Sequence, residues 1–274
     1  MRLYHNLPSM DLFRRYSDNL KTQSTAFGRV SSGVKVQTSK DDPNAMAESQ
    51  KLRLQIRGLQ MASRNMQDGM SMLQTADSSM QNIDDSVLRI RELVVQAGGA
   101  NSDEDNKIIQ NEIDQMLDHI NKVAEYTETN GVKFLSGSNG AGANTYIQVG
   151  AMAGEDLEVP MYNLTTTGLG IAGVNTADID TSLMKLDGAL DDIAKYRGKY
   201  GAISNRLEST YNNTAEMSTR VEGAESELTG ADIALEMMEY TKASVLVDAG
   251  IAMMTQTNKF PQDVLRILEN VKSR

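Results

Sequence analysis

The sequence predicts a mainly α protein: a long antiparallel, coiled-coil-like helical rod with a small β-region and a further apolar-sided helix at each end. Three observations carry this. Leu52, Leu59, Met66, Leu73, Met80, Val87 and Val94 stand seven residues apart without exception. Leu186, Ile193, Tyr200, Leu207, Thr214, Val221 and Leu228 repeat the spacing, with Thr214 the one polar member. Apolar residues every seventh position over this length describe a long helix with a narrow seam, and two such helices in one chain pack on each other. Third, the 274 residues are poor in aromatics, at 5%, with no Trp and 17 Met, a supply better suited to helix–helix seams than to a thick globular centre. An elongated shape is expected.

Taken in order, the first element is a helix marked by the stripe Phe13, Tyr16, Leu20 and Phe27, closed by the turn "SSGVKVQTSKDD". Asp42 then caps the first long helix, Pro43 suits its first position, and Gly98-Gly99 ends it. Ala62, Gly69, Ala76, Ile83, Ile90 and Ala97 form a second series beside its seam. "SDEDNKIIQNEIDQMLDHINKVAEYT" reads as a shorter helix whose early acids complement the helix dipole, with Ile109, Ile113, Met116 and Ile120 on one face. The Gly-, Asn-, Ser- and Thr-rich stretch that follows contains the alternating runs "TYIQV" and "LEVPMY", a few strands joined by tight turns. The second long helix returns, with Tyr196, Ile203, Met217 and Ala224 beside its seam. Finally "SVLVDAGIAMMTQTNKFPQDVLRIL" places apolar groups around nearly the whole circumference of a helix, and such a helix must be buried by something.

Charge and chemistry exclude several functions. Net charge is −10 with no clustered Lys and Arg, which argues against nucleic acid as a partner. With no cysteine there are no disulfides, thiolate metal sites or Cys nucleophiles. The first residues lack the apolar segment of a secretory signal, and Asp248 interrupts the best apolar run, so no membrane span is expected. The two histidines, His5 and His119, form no metal or acid–base motif; His119 reads as a solvated surface residue. No enzyme activity, cofactor or metal is expected. The sequons "NLT" at 163–165 and "NNT" at 212–214 read as chance. Met66 and Met80 on the seam read as core filling.

The motifs "RVSSGVKV", "KDDPNAMAESQKLRLQIRGLQMASRNMQDGMSMLQTAD", "LRIRELVVQA", "TNGVKFLSG", "NRLEST" and "ADIALEMMEYTKASVLVDAGIAMMTQTNKFPQDVLRIL" together resemble bacterial flagellin over almost the whole chain. The resemblance implies a structural subunit that self-assembles into the flagellar filament for swimming motility. Such a subunit would be extracellular and exported without a cleaved signal peptide. Residues 1–40 and 231–274 would be the N- and C-terminal filament-core helices, paired in the filament core. Residues 41–130 and 181–230 would be the two rod portions and 131–180 the small β-rich region, with minimal outer decoration. The implied filament-core packing residues are Phe13, Tyr16, Leu20, Phe27, Ile233, Met237, Tyr240, Val247, Ile251, Met254, Val264 and Leu268. Implied partners are other copies of the chain, hook-associated and cap proteins, and an export chaperone on the C-terminal helix. Arg89, Leu93 and Glu112 match family positions that contact the vertebrate Toll-like receptor sensing flagellin monomers. Arg89, Arg91 and Glu92 are equally readable as exposed charges flanking a seam, or as contacts to the next subunit. Two alternatives stand beside the filament subunit: a hook–filament junction protein of the same architecture, and a monomeric coiled-coil binding module.

Overall fold

Helix boundaries fall where side chains satisfy the unpaired backbone groups. In the computed structural model, which describes residues 7–99, 102–137 and 144–272, the elements are five helices and four short strands. Side chains at 260, 261, 263–265 and 267–272 also lie outside the described residues. The helices are α1 (Leu7–Ser32), α2 (Pro43–Ala97), α3 (Asp103–Tyr126), α4 (Ile179–Thr229) and α5 (Ile233–Lys272). The strands are β1 (Glu128–Thr129), β2 (Val132–Lys133), β3 (Asn144–Gln148) and β4 (Asp156–Pro160). Residues 1–53 with 222–274 form one compact unit and 54–221 the other.

The caps follow local chemistry. Asp42 Oδ1 accepts the backbone N–H groups of Asn44 and Ala45, opening α2 with Pro43 first in the helix. At the far end, Gly98 N–H closes back on Val94 and Val95. Ser102 and Asp105 form a reciprocal capping box at the start of α3. Asp232 Oδ1 accepts from Ala234 and Leu235 to begin α5.

Within unit 54–221 the seam positions Leu59, Met66, Leu73, Met80, Val87 and Val94 of α2 are buried. Facing them in the same core are Leu186, Ile193, Tyr200 and Leu207 of α4. The second series is buried throughout, from Ala62 to Ala97 and including Gly69. Helix α3 adds Ile109, Ile113 and Ile120, with Met116 half-buried. Arg197 pairs with Asp77 at 2.9 Å and Arg91 with Asp187 at 2.8 Å, which fixes α4 antiparallel to α2. These pairs are exposed enough that each contributes little stability.

The seam expectation needs one correction. Leu52, Val221 and Leu228 are only half-buried, and Met217 and Ala224 are exposed. Heptad spacing thus persists in sequence where complete burial does not.

The small strands sit against this scaffold. β1 and β2 pair antiparallel across Asn130-Gly131, both in the left-handed region at φ 54° and 78°, the geometry of a tight hairpin turn. β3 and β4 pair over five residues each. Ile147, Leu157 and Val159 face the core, and their hairpin lies close on α2 because positions 58 and 69 are glycine. A Cβ at Gly58 would come within 2.8 Å of Ala151, and one at Gly69 within 2.5 Å of the tip of Ile147. Residues 134–136 and 162–164 are laced by backbone hydrogen bonds, and Tyr200 Oη donates to the carbonyl of Pro160 at 2.9 Å. Burial pushes the Tyr200 phenol above its ordinary pKa. Asn163 Oδ1 accepts from the backbone and hydroxyl of Thr165, and Thr214 is buried on α4.

Candidate assembly surface

In unit 1–53/222–274, α1 and α5 run antiparallel. Ser9 Oγ donates to Asn258 Oδ1 at 3.1 Å, the Tyr16 ring lies beside Gly250, Phe27 and Tyr240 have ring centroids 6.0 Å apart, and Arg29 Nη1 reaches Glu236 Oε1 at 3.2 Å. The shared face is built from small groups. Ala26, Ala243 and Val247 are buried, and Gly250 lets the Tyr16 ring approach. Small residues bring the two backbones close, but they leave most of the apolar area of both helices outside the contact.

That outside area is large. On α1 the stripe Phe13, Leu20 and Phe27 is exposed, with Phe27 at 61%. On α5, Leu235, Met238, Val245, Leu246 and Met253 are all exposed. At about 100° per residue they gather on one side of the helix, well away from the Ala243–Val247 face. Ile233, Met237 and Ile251 flank the other side and are exposed as well. Grooves break the surface: one is lined by Leu20, Phe27 and Tyr240 among polar neighbours, another by Met10, Phe13 and Met254. Isolated exposed apolar side chains are ordinary, whereas a contiguous set on two paired helices marks an interaction surface.

The sequence-predicted packing residues therefore separate. Val247 lies inside the α1–α5 contact, Tyr16, Tyr240 and Met254 are half-buried, and Phe13, Leu20, Phe27, Ile233, Met237 and Ile251 face outward. The side chains of Val264 and Leu268 lie outside the described residues. Sequence reasoning missed Arg29 and Glu236, the charged pair inside the contact, and the small residues Ala26 and Ala243. A Glu at the start of an apolar helix is ordinary chemistry at a helix N-terminus, so nothing local marked it as buried.

The connection between these helices and the long ones is tied across the chain. Val34 bridges Gly230, Lys35 N–H donates to Thr229 O at 2.7 Å and Ala231 N–H to Gly33 O at 3.0 Å. Gly33 takes φ 72°, which turns the chain out of α1. Below this crossing, Glu225 Oε1 accepts from Ser49 at 3.1 Å and from Arg53 Nε at 2.8 Å. Burial alone would raise the Glu225 carboxyl, but the hydrogen bonds from Arg53 and Ser49 outweigh it and hold it below the ordinary carboxylate value.

On unit 54–221, Arg89 is exposed and reaches both Glu112 and Glu92 at 3.1 Å, which raises its already high pKa. Leu93, the third residue of the receptor expectation, is 2% exposed and belongs to the hydrophobic core. A side chain so placed supports a surface from beneath and touches no partner. Among the described residues no group of three or more acidic or histidine side chains is arranged to hold a metal ion, and no helix is long and apolar enough to cross a membrane.

The family models agree with this architecture. Residues 3–140 match the bacterial flagellin N-terminal helical region and residues 183–268 the bacterial flagellin C-terminal helical region. The chain belongs to the bacterial flagellin family. It is similar to flagellin of Bacillus subtilis strain 168, 34% identical over 303 residues, covering 98% of this chain and 100% of that one. It is also similar to the flagellar filament 31.3 kDa core protein of Treponema maltophilum, 32% identical over 286 residues with the same coverage. A solved flagellar hook-associated protein from Vibrio parahaemolyticus shares the fold at TM-score 0.59 and 15% identity, covering 69% of this chain and 100% of that one. This flagellin is accordingly a structural subunit that self-assembles into the bacterial flagellar filament. The filament is extracellular.

Proposed function

We propose that the outward faces of α1 and α5 are the surfaces through which copies of this chain stack in the filament core. The observation that supports this is the mismatch on α5: apolar groups on several sides, and a small-residue contact that covers one of them. A repeated contact between different patches of identical copies, with no rotation that closes it, propagates as a helical fibre. Residues 1–40 and 231–274 would then be the core-forming segments, and 41–130, 131–180 and 181–230 the parts that surround them. The work is mechanical and calls for no catalytic group.

The same faces would serve the other expected partners. An export chaperone would shield the apolar side of α5 before secretion, and hook-associated and cap proteins would meet the ends of the stack through it. Export is taken to proceed without a cleaved signal. The test is assembly. The purified chain, given precipitating salt or seeds, should form fibres visible by negative-stain microscopy. Limited proteolysis before assembly should trim approximately residues 1–40 and 235–274, since ordering segments with uncovered faces costs about 1–2 kcal/mol per residue in backbone entropy. Absence of concentration-dependent fibres would favour the monomeric binding module.

The exposed Arg89–Glu112 pair favours a second, compatible reading in which the monomer is recognised by the flagellin-sensing Toll-like receptor. Arg89 and Glu112 would make the contact and Leu93 would hold the surface that carries them. A reporter cell line unresponsive to purified monomer would end that reading.

A further inference from the structure

The α1–α5 contact poses a physical problem of its own. Its fully buried apolar side chains are Ala26, Ala243 and Val247, small groups, and the rings of Tyr16, Phe27 and Tyr240 lie along its exposed edge. Sliding one helix against the other by a turn exchanges one set of apolar contacts for another of nearly equal worth. Hydrophobic burial is non-directional and does not choose between them.

The exposed Ser9–Asn258 hydrogen bond chooses only weakly, because water replaces it at little cost; a buried charge chooses strongly. Glu236 is 6% exposed on the inner face of α5, and Arg29, less than one-third exposed, meets its Oε1 at 3.2 Å. The other carboxylate oxygen, Oε2, is buried with no hydrogen-bond donor among the described residues. A half-satisfied buried ion pair is poor stabilisation, because desolvating both charges offsets their attraction. Such a pair is nevertheless intolerant of misalignment: a slip of one turn would leave the Glu236 carboxylate buried without its cation.

We infer that Arg29 and Glu236 are the positioning residues that fix the register of α1 against α5. Register matters to the polymer because the exposed α1 stripe and the exposed α5 stripe must present one fixed relative alignment to every neighbouring copy. The inference goes beyond the assembly reading and rests on it only for this consequence. The pair is distinct from Ser49, Arg53 and Glu225, which lie on the long helices.

The chain has no cysteine, so the register can be measured directly. Asp11→Cys and Lys242→Cys, both exposed and far apart along the pair, carry spin labels. Distances are read by pulsed electron resonance in fibres where labelled chains are diluted with unlabelled ones. The parent should give one narrow distance. With Arg29→Met and Glu236→Met together, which leaves no unpaired charge, the distribution should broaden or split by about 5 Å, one helical turn. The charge-swapped pair Arg29→Glu with Glu236→Arg should restore a single distance, an outcome that a role in packing alone would not produce. A single unshifted distance in the double-Met chain, or failure of the swap to narrow the distribution, overturns the inference. If the parent forms no fibres, that counts against the assembly reading instead. The distances are then read on soluble chains in the salt that protects both ends from proteolysis, where the same two outcomes decide.

Discussion

Ile251 separates stacking between copies from pairing within one. In the single chain it is 45% exposed, one turn beyond Val247 at the outer edge of the α1–α5 contact. Fully burying an isoleucine side chain is worth about 1.5–3 kcal/mol, so nearly half of that, about 1 kcal/mol, remains to be gained when a neighbour covers it. Ile251→Asp removes the gain and asks the fibre to bury an unpaired carboxylate, at a cost of several kcal/mol. With about 1.4 kcal/mol per factor of ten, a combined loss near 4 kcal/mol raises the concentration needed for polymerisation on the order of a thousandfold. The unassembled chain should be almost unaffected, because an exposed substitution usually changes stability by no more than about 0.5 kcal/mol. Val247→Asp is the contrast: Val247 is buried within the pair, so this change should loosen α1 from α5 before any assembly. The assay is seeded polymerisation followed by sedimentation, with circular dichroism and thermal melting of the unassembled chains. Fibres of Ile251→Asp at the parental concentration would refute the assignment of that edge to a neighbouring copy.

Three further outcomes follow from the geometry. Gly69→Ala alone should be close to neutral, its helix gain of about 1 kcal/mol cancelled by displacement of Ile147; in an Ile147→Val background, which lacks the clashing Cδ1, the same change should raise the thermal midpoint, and equal effects in both backgrounds would contradict the hairpin's seat on α2. Because Glu225 is held below its ordinary value in the folded chain, its contribution is complete above about pH 4.3, the reference value for glutamate, and is lost as pH falls through the lowered folded value; the stability gap between the parent and Glu225→Gln, under about 1 kcal/mol, should close on acidification, and a gap independent of pH would remove the carboxylate from the argument. Ser102→Ala breaks the capping box of α3 and should cost about 0.5–2 kcal/mol, with faster amide exchange confined to that helix's first turn; unchanged exchange there would show the box to be dispensable.

How much could be read beforehand depends on the range of the interaction. The extent of α2 follows from Asp42, Pro43 and Gly98, whose effects are local, and its buried face from a period that six consecutive heptad positions, Leu59 to Val94, obey. The Asn130-Gly131 turn is equally local. By contrast, nothing in "LRIREL" distinguishes Leu93, which is inside, from Leu88, which is exposed, until α3 is placed. The same holds at the ends: a circumference of apolar groups announces burial but not which arc meets α1, and the structure gives that arc to alanine, valine and a glutamate rather than to the bulky residues. Large side chains stayed outside because two helices drawn close by Ala26, Ala243 and Gly250 leave no room for them. At Leu52, Val221 and Leu228 the heptad positions are half-buried, since periodicity records a helix's preferred seam and not how completely it is covered.

The hairpin of β3 and β4 turns through residues 150–155, where Gly154 takes φ 89° and residues 152–156 are exposed. Its root is held by Ile147 and Leu157 in the core, and its shoulder by Ala151 resting over Gly58. A foreign peptide spliced between Ala153 and Gly154 would leave those anchors in place and emerge into solvent once per subunit. The turn thereby offers an attachment point on every chain that leaves the α1–α5 pair untouched.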